Sequence, residues 1–160
     1  MNTTDIKKYL DQLPRSKIQT VRVCASDLLP SSEIHPSSAY VVNTMPHTDS
    51  GEHWVIFYLP PEGDVIEYFD SFGRAPYPSV YQQFLRRNKR RRYLFNKYRL
   101  QGFASSVCGK YVLCYLYCRL QLHMELNDFV NIFDLSSASA AAAADSNDAL
   151  ITRMFARFYS

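Results

Sequence analysis

Several absences narrow the field before any motif is read. No apolar run approaches the ~18 residues that a membrane-spanning helix needs. The opening residues Met1–Leu10 lack the basic-then-apolar order of a signal peptide, so secretion is not expected. The four cysteines, Cys24, Cys108, Cys114 and Cys118, form no CxxC pair and have no histidine cluster beside them. Zinc binding is therefore not expected, and reduced thiols are. No internal repeat and no linker stands out. The most telling absence is acidic. From Ser71 to Met124 there is no Asp or Glu, although this span holds eleven of the chain's 18 Lys and Arg. The remainder is net acidic, and such division points to a surface that faces a polyanion.

What is present fits one folded domain over residues 1–160. Hydrophobic residues make up 47% of the chain, with 12 Tyr and 10 Phe, too many for a disordered chain. Thr3–Leu13 reads as an amphipathic helix capped by Thr3 or Thr4. Ser26–Ser38 reads as loop, and Ala39–Thr44 as a strand. His53–Leu59 and Asp64–Asp70 read as two strands separated by the turn Pro60-Pro61-Glu62-Gly63. Ser79–Leu85 suits a helix, Tyr98–Leu100 a short strand and Val107–Leu122 a long apolar helix. Ser136–Asp145 fits either a surface loop or an Ala helix, and Asp148–Tyr159 a C-terminal helix. The expected class is α+β, with a mainly antiparallel central sheet packed on the long helix.

Closing the hairpin about Pro61 and Glu62 sets His53 opposite Asp70. Directly opposed side chains share a face, with Cβ atoms ~5 Å apart. An Asp beside an imidazole fixes its tautomer and favours its charged form, as a general base requires. Taken alone, the pair also fits a surface cross-strand ion pair. Cys108 falls in the first turn of the long helix, which Ser105 or Ser106 is expected to cap. The positive end of the helix dipole favours thiolate there, and the free backbone N–H groups can hold an oxyanion. Gly109 offers no side chain to obstruct a substrate carbonyl. Cys114, Cys118 and Cys24 read as packing residues. His47 is the rival base, whereas His123 lies too far along the helix. Cys108, His53 and Asp70 thus make a candidate nucleophile, base and orienter for acyl transfer.

Three segments carry a family likeness: Gly51-Glu52-His53-Trp54, Tyr68-Phe69-Asp70-Ser71-Phe72-Gly73, and Gln101 with Ser106-Val107-Cys108-Gly109. In this order and spacing the chain resembles the adenovirus-type (adenain-like) cysteine proteases, including those of Polinton or Maverick transposons. The resemblance spans roughly Tyr40 to Tyr117. It implies a papain-like/adenain-like fold and an endopeptidase that cuts capsid or core precursors near Gly. It implies His53 as base, Asp70 as orienter, Cys108 as nucleophile and Gln101 as oxyanion donor, with Trp54 beside the imidazole. It also implies a virion enzyme of the host nucleus or a cytoplasmic replication site, monomeric, without a metal. The chemistry needs no cofactor, though DNA or a viral peptide can serve as activator. The related ubiquitin-like-protein proteases share His-Trp, Asp, Gln and Cys-Gly, so an isopeptidase is the alternative. They usually carry Asp where this chain has Val107.

The run Arg86, Arg87, Asn88, Lys89, Arg90, Arg91, Arg92 holds six positive charges in seven residues. It reads as a phosphate-binding or nuclear-localisation segment, and equally as a solvated loop. With the family likeness, sequence-independent DNA contact is the expectation.

Overall fold

The computed structural model describes residues 1–13, 18–88, 92–136 and 140–160. A five-stranded sheet runs in the spatial order β1 (Thr20–Ala25), β2 (Ser38–Asn43), β3 (Trp54–Leu59), β4 (Val65–Phe69) and β5 (Arg92–Phe95). The two inner pairings are antiparallel, and the two edge pairings, β1 with β2 and β4 with β5, are parallel. The sheet is therefore mixed rather than mainly antiparallel. The outer strands enter from crossover segments, not from hairpins. β5 lies at Arg92–Phe95, directly after the basic run, and Tyr98–Leu100 is not a strand.

Helices cover both faces of the sheet. Ala39, Val41, Trp54, Ile56 and Phe69 point into one core with α1 (Thr3–Leu10), α3 (Cys108–Gln121), α4 (Leu126–Val130) and Ile151 of α5 (Ala140–Phe158). Tyr40, Val42, Val55, Phe57 and Tyr68 point into a second core with Tyr81, Phe84 and Leu85 of α2 (Ser79–Arg87). All six residues of β3 are consequently buried. Its sequence, Trp-Val-Ile-Phe-Tyr-Leu, is accordingly apolar throughout instead of alternating. Among the described residues no helix is long and apolar enough to cross a membrane.

Local chemistry explains most departures from the expected elements. α1 is capped by Asn2, not by Thr3 or Thr4: Asn2 Oδ1 accepts from the Asp5 N–H and Asp5 Oδ2 from the Asn2 N–H. This reciprocal box satisfies two otherwise orphaned donors. The Ala-rich segment from Ala140 and the C-terminal helix are one continuous α5, as Ala propensity favours. Residues 137–139 of the Ser136–Asp145 segment lie outside the described set.

The hairpin register differs from expectation by two residues. Phe57 pairs with Tyr68 and Ile56 with Phe69. The turn is thus centred between Glu62 and Gly63, because Gly63 takes the left-handed corner at φ +89°. A two-residue shift preserves the face of every side chain. His53 and Asp70 therefore stay on one side of the sheet as diagonal neighbours. Continued past the ladder, this register sets Phe72 opposite His53.

Candidate active site

The end of β3, the end of β4 and the start of α3 converge on one cleft of about 630 Å³. His53 immediately precedes β3, Asp70 follows β4 and Cys108 opens α3. Sequence reasoning places these three together, and the structure does so too. His53 Nε2 lies 2.7 Å from Asp70 Oδ1. A carboxylate oxygen only accepts, so Nε2 carries the proton in this bond. The other ring nitrogen, Nδ1, is left for Cys108, to which His53 is also hydrogen-bonded. Asp70 Oδ1 accepts a second bond, from the Phe72 N–H at 2.8 Å.

Asp70 is itself held from behind. Asn96 is buried, accepts from the Asp70 N–H at 2.9 Å and donates to the Asp70 carbonyl. Gly73 follows at φ +68°, where a Cβ would come within 2.5 Å of the Tyr98 backbone. The Asp-Ser-Phe-Gly turn is thus clamped against the Asn96–Tyr98 segment.

The electrostatics separate Cys108 from the other three cysteines, all of them free thiols. Burial acts to lower the His53 pKa, but the hydrogen bonds to Asp70 and Cys108 outweigh it and raise it to about 9. Burial acts to raise the Cys108 pKa. Its imidazole partner and the Trp54 and Gly109 backbone N–H groups outweigh that and hold it below the ordinary thiol value. The two shifts work in the same direction, each favouring a thiolate beside an imidazolium. Burial instead pushes Cys24 up to about 11 and Cys118 up to about 12, and raises Cys114 further. Cys108 alone is prepared as a nucleophile.

Gln101 sits on the same cleft wall, buried and oriented from both ends. The Ser71 hydroxyl donates to Gln101 Oε1 at 2.6 Å, and Gln101 Nε2 donates to the Ser105 carbonyl at 2.8 Å. These bonds fix which end of the amide is which. They leave one Nε2–H available. The Cys108 backbone N–H is among the four that a helix start leaves without an intrahelical acceptor. Together they offer two donors to a developing oxyanion.

Three expectations about supporting residues change. α3 is capped at Val107 without a side-chain bond, so neither Ser105 nor Ser106 caps it. Gly109 does not open the cleft. A Cβ there would meet Met1 Sδ at 2.8 Å and Ile6 Cδ1 at 3.2 Å, so its bareness admits the N-terminal segment. Trp54 lines the cleft, with its indole N–H donating to the Met1 carbonyl at 3.0 Å. The ring packed on the imidazole is Phe72, with centroids 4.6 Å apart. Sequence reading quoted Ser71 and Phe72 within a motif without giving them a role, and it missed Asn96. Only the corrected hairpin register could have pointed to Phe72.

His47, the rival base, is exposed and paired with Asp27 at 2.6 Å. His35 and His123 line a separate hollow of about 810 Å³ beside Arg119. Among the described residues no group of three His, Cys, Asp or Glu could hold a metal ion. Of the basic run, Lys89, Arg90 and Arg91 lie outside the described residues. Arg86 and Arg87 end α2, with Arg87 donating to the Pro30 carbonyl, and Arg92 pairs loosely with Asp64 at 3.4 Å.

The site thus sets a thiol, an imidazole and a carboxylate in line beside two candidate oxyanion donors, and the fold has structural neighbours. The chain superposes on the selenomethionine crystal structure of ASFV pS273R protease with a TM-score of 0.53 and 24% identity, covering 76% of this chain and 43% of that one. A second crystal structure of the same protease gives a TM-score of 0.49 at 24% identity, over 69% and 42% of the two chains. ChlaDub1 from Chlamydia trachomatis gives 0.46 at 13% identity, over 96% and 75%. The match spans less than half the length of pS273R. No protein-family model and no curated protein matches the chain. The likeness to pS273R is one of fold alone.

Proposed function

We propose that the protein is an adenain-like cysteine endopeptidase that cuts viral or transposon-encoded precursor proteins beside Gly. The observation that carries this reading is Cys108, held toward thiolate by His53 and Asp70 in an open cleft. The fold shared with a protease supports the class. The motifs around His53, Asp70, Gln101 and Cys108 support the branch.

In the reaction, the Cys108 thiolate attacks the scissile carbonyl carbon, forming a C–S bond. Charge moves to the carbonyl oxygen, where Gln101 Nε2 and the Cys108 N–H receive it. The His53 imidazolium gives its proton to the amine nitrogen as the C–N bond breaks. Neutral His53 then takes a proton from water, the resulting hydroxide displaces sulfur, and the acid product leaves. Asp70 keeps the imidazole aligned in both halves. Sequence-independent DNA contact through Arg86, Arg87, Lys89 and Arg90–Arg92 belongs to the same proposal. An isopeptidase acting on ubiquitin-like modifiers would use the same machinery. Val107 in front of the nucleophile favours the endopeptidase.

The test is mass-spectrometric mapping of cuts in a mixed peptide library, with wild type and Cys108→Ala, with and without duplex DNA. Cuts beside Gly that vanish in Cys108→Ala are expected, with the fold intact by circular dichroism. Cuts that survive the substitution would sink the mechanism. Cleavage of ubiquitin-like conjugates alone would transfer the reading to the isopeptidase.

A further inference from the structure

Beyond His53 the cleft wall continues in stacked rings, with Arg74 lining the cleft and Arg99 lining the hollow beside it. Phe72 packs on the imidazole, and Phe103 stacks on Phe72 with centroids 6.1 Å apart and planes 24° apart. The Arg74 guanidinium lies 5.0 Å over the Phe72 ring, and that of Arg99 lies 4.0 Å over Phe103. Phe103 is 74% exposed although it is fully aromatic and adjoins the site. Among the described residues neither guanidinium has a carboxylate or carbonyl partner. Asp145 borders the shallow hollow next to Arg99 without pairing to it. Asp148, close by, is already bonded to the Gly102 N–H and the Tyr111 hydroxyl.

Stacking on a ring restricts a guanidinium and leaves its N–H edge outward, ready for a planar carboxylate. Such a group loses little freedom when it binds. Arg74 lines the cleft itself, as does Glu52. We infer that Phe72, Phe103, Arg74 and Arg99 form a recognition ledge that takes an acidic side chain of the peptide substrate. The proposal rests on the endopeptidase reading, and it adds the charge preference of the substrate. The ledge extends two ring spacings from the imidazole. At ~3.3 Å per residue of extended chain, the acidic residue falls within about three residues of the cut. A peptide is favoured over nucleic acid because the inner end of the ledge is the catalytic imidazole itself.

The test offers the full chain a peptide library in which every Asp and Glu is matched by Asn and Gln. Immobilised Cys108→Ala protein reports retention, and the intact enzyme reports kcat/KM. About ten-fold preference for acidic over amide peptides is expected, the size of one partly exposed charge-assisted contact. The Arg74→Gln, Arg99→Gln double variant should lose it, and Arg99→Glu should favour Lys-bearing peptides. Equal retention of acid and amide, or a preference that survives the double variant, overturns the ledge. So does retention of a short DNA duplex that needs both arginines when acidic peptides show no preference. Acidic peptides retained but never cut would leave the ledge standing and remove the endopeptidase. Cutting without acidic preference would do the reverse.

Discussion

Two carboxylates three residues apart on one strand end in opposite circumstances. Glu67 lies within β4, buried under α3, where Arg119 grips both its oxygens at 2.8 and 3.0 Å and the Tyr115 hydroxyl donates as well. Asp70 lies just past the strand end, where it meets His53 and, through it, a thiol that faces a cleft. The Glu67 network ends on protein, since Arg119 turns its remaining nitrogen to the Met124 carbonyl at 3.1 Å, and it pins the sheet to α3. The Asp70 chain is open at one end, so its charge is passed on to sulfur. Burial of a charged pair therefore marks neither stability nor catalysis. The distinction lies in what the chain of bonds ends on, a backbone carbonyl for Glu67 and a thiol facing a cleft for Asp70.

Isosteric amides break the comparison most directly. Glu67→Gln leaves the Arg119 charge uncompensated. It should cost about 3 kcal/mol or more of unfolding free energy, read from urea midpoints, and leave the pH profile of Cys108 alkylation unmoved. Gln101→Ala removes one oxyanion donor. It should lower kcat about 10²–10³-fold with stability changed far less than in Glu67→Gln. Asp70→Asn keeps the hydrogen bond to His53 but not the charge. The His53 pKa should fall, the thiolate should form only at higher pH, and activity should drop roughly ten- to a hundred-fold.

The smallest effect is on stability against pH. The His53 pKa is raised on folding, from an ordinary 6.5 to about 9. Its contribution is thus full below pH 6.5 and lost as pH rises through about 9. The stability gap between wild type and His53→Gln should accordingly shrink between pH 6 and pH 9.5, whereas the gap for Glu67→Gln should hold. A gap that widens with pH would contradict the assignment.

The Cys108–His53–Asp70 chain was more legible in the sequence than the sheet around it. Alternation along two strands put His53 and Asp70 on one face, and that inference survives a register error of two because parity survives it. A Cys in the first turn of an apolar run was likewise readable from propensity. The turn centre was not readable, because it depends on Gly63 adopting a positive φ. β1 was missed because Val21-Arg22-Val23-Cys24 is short and has no hairpin partner; its pairing with β2 is parallel and reached across a loop. The Glu67–Arg119 clamp spans 52 residues of sequence, beyond any local pattern. Gly109 shows the converse error: a small residue beside the nucleophile suggested room for substrate, and the space belongs to Met1 and Ile6.

The segregation of the four thiols has a consequence outside hydrolysis. Peroxide attacks thiolate, not thiol, and three of the four sulfurs are held in the unreactive form by burial. On the function proposed above, mild oxidation would fall on Cys108, where a sulfenic acid would silence the protease while the cores on both faces of the sheet stay packed. A reductant that returns that one sulfur to thiolate would restore that activity without refolding the chain.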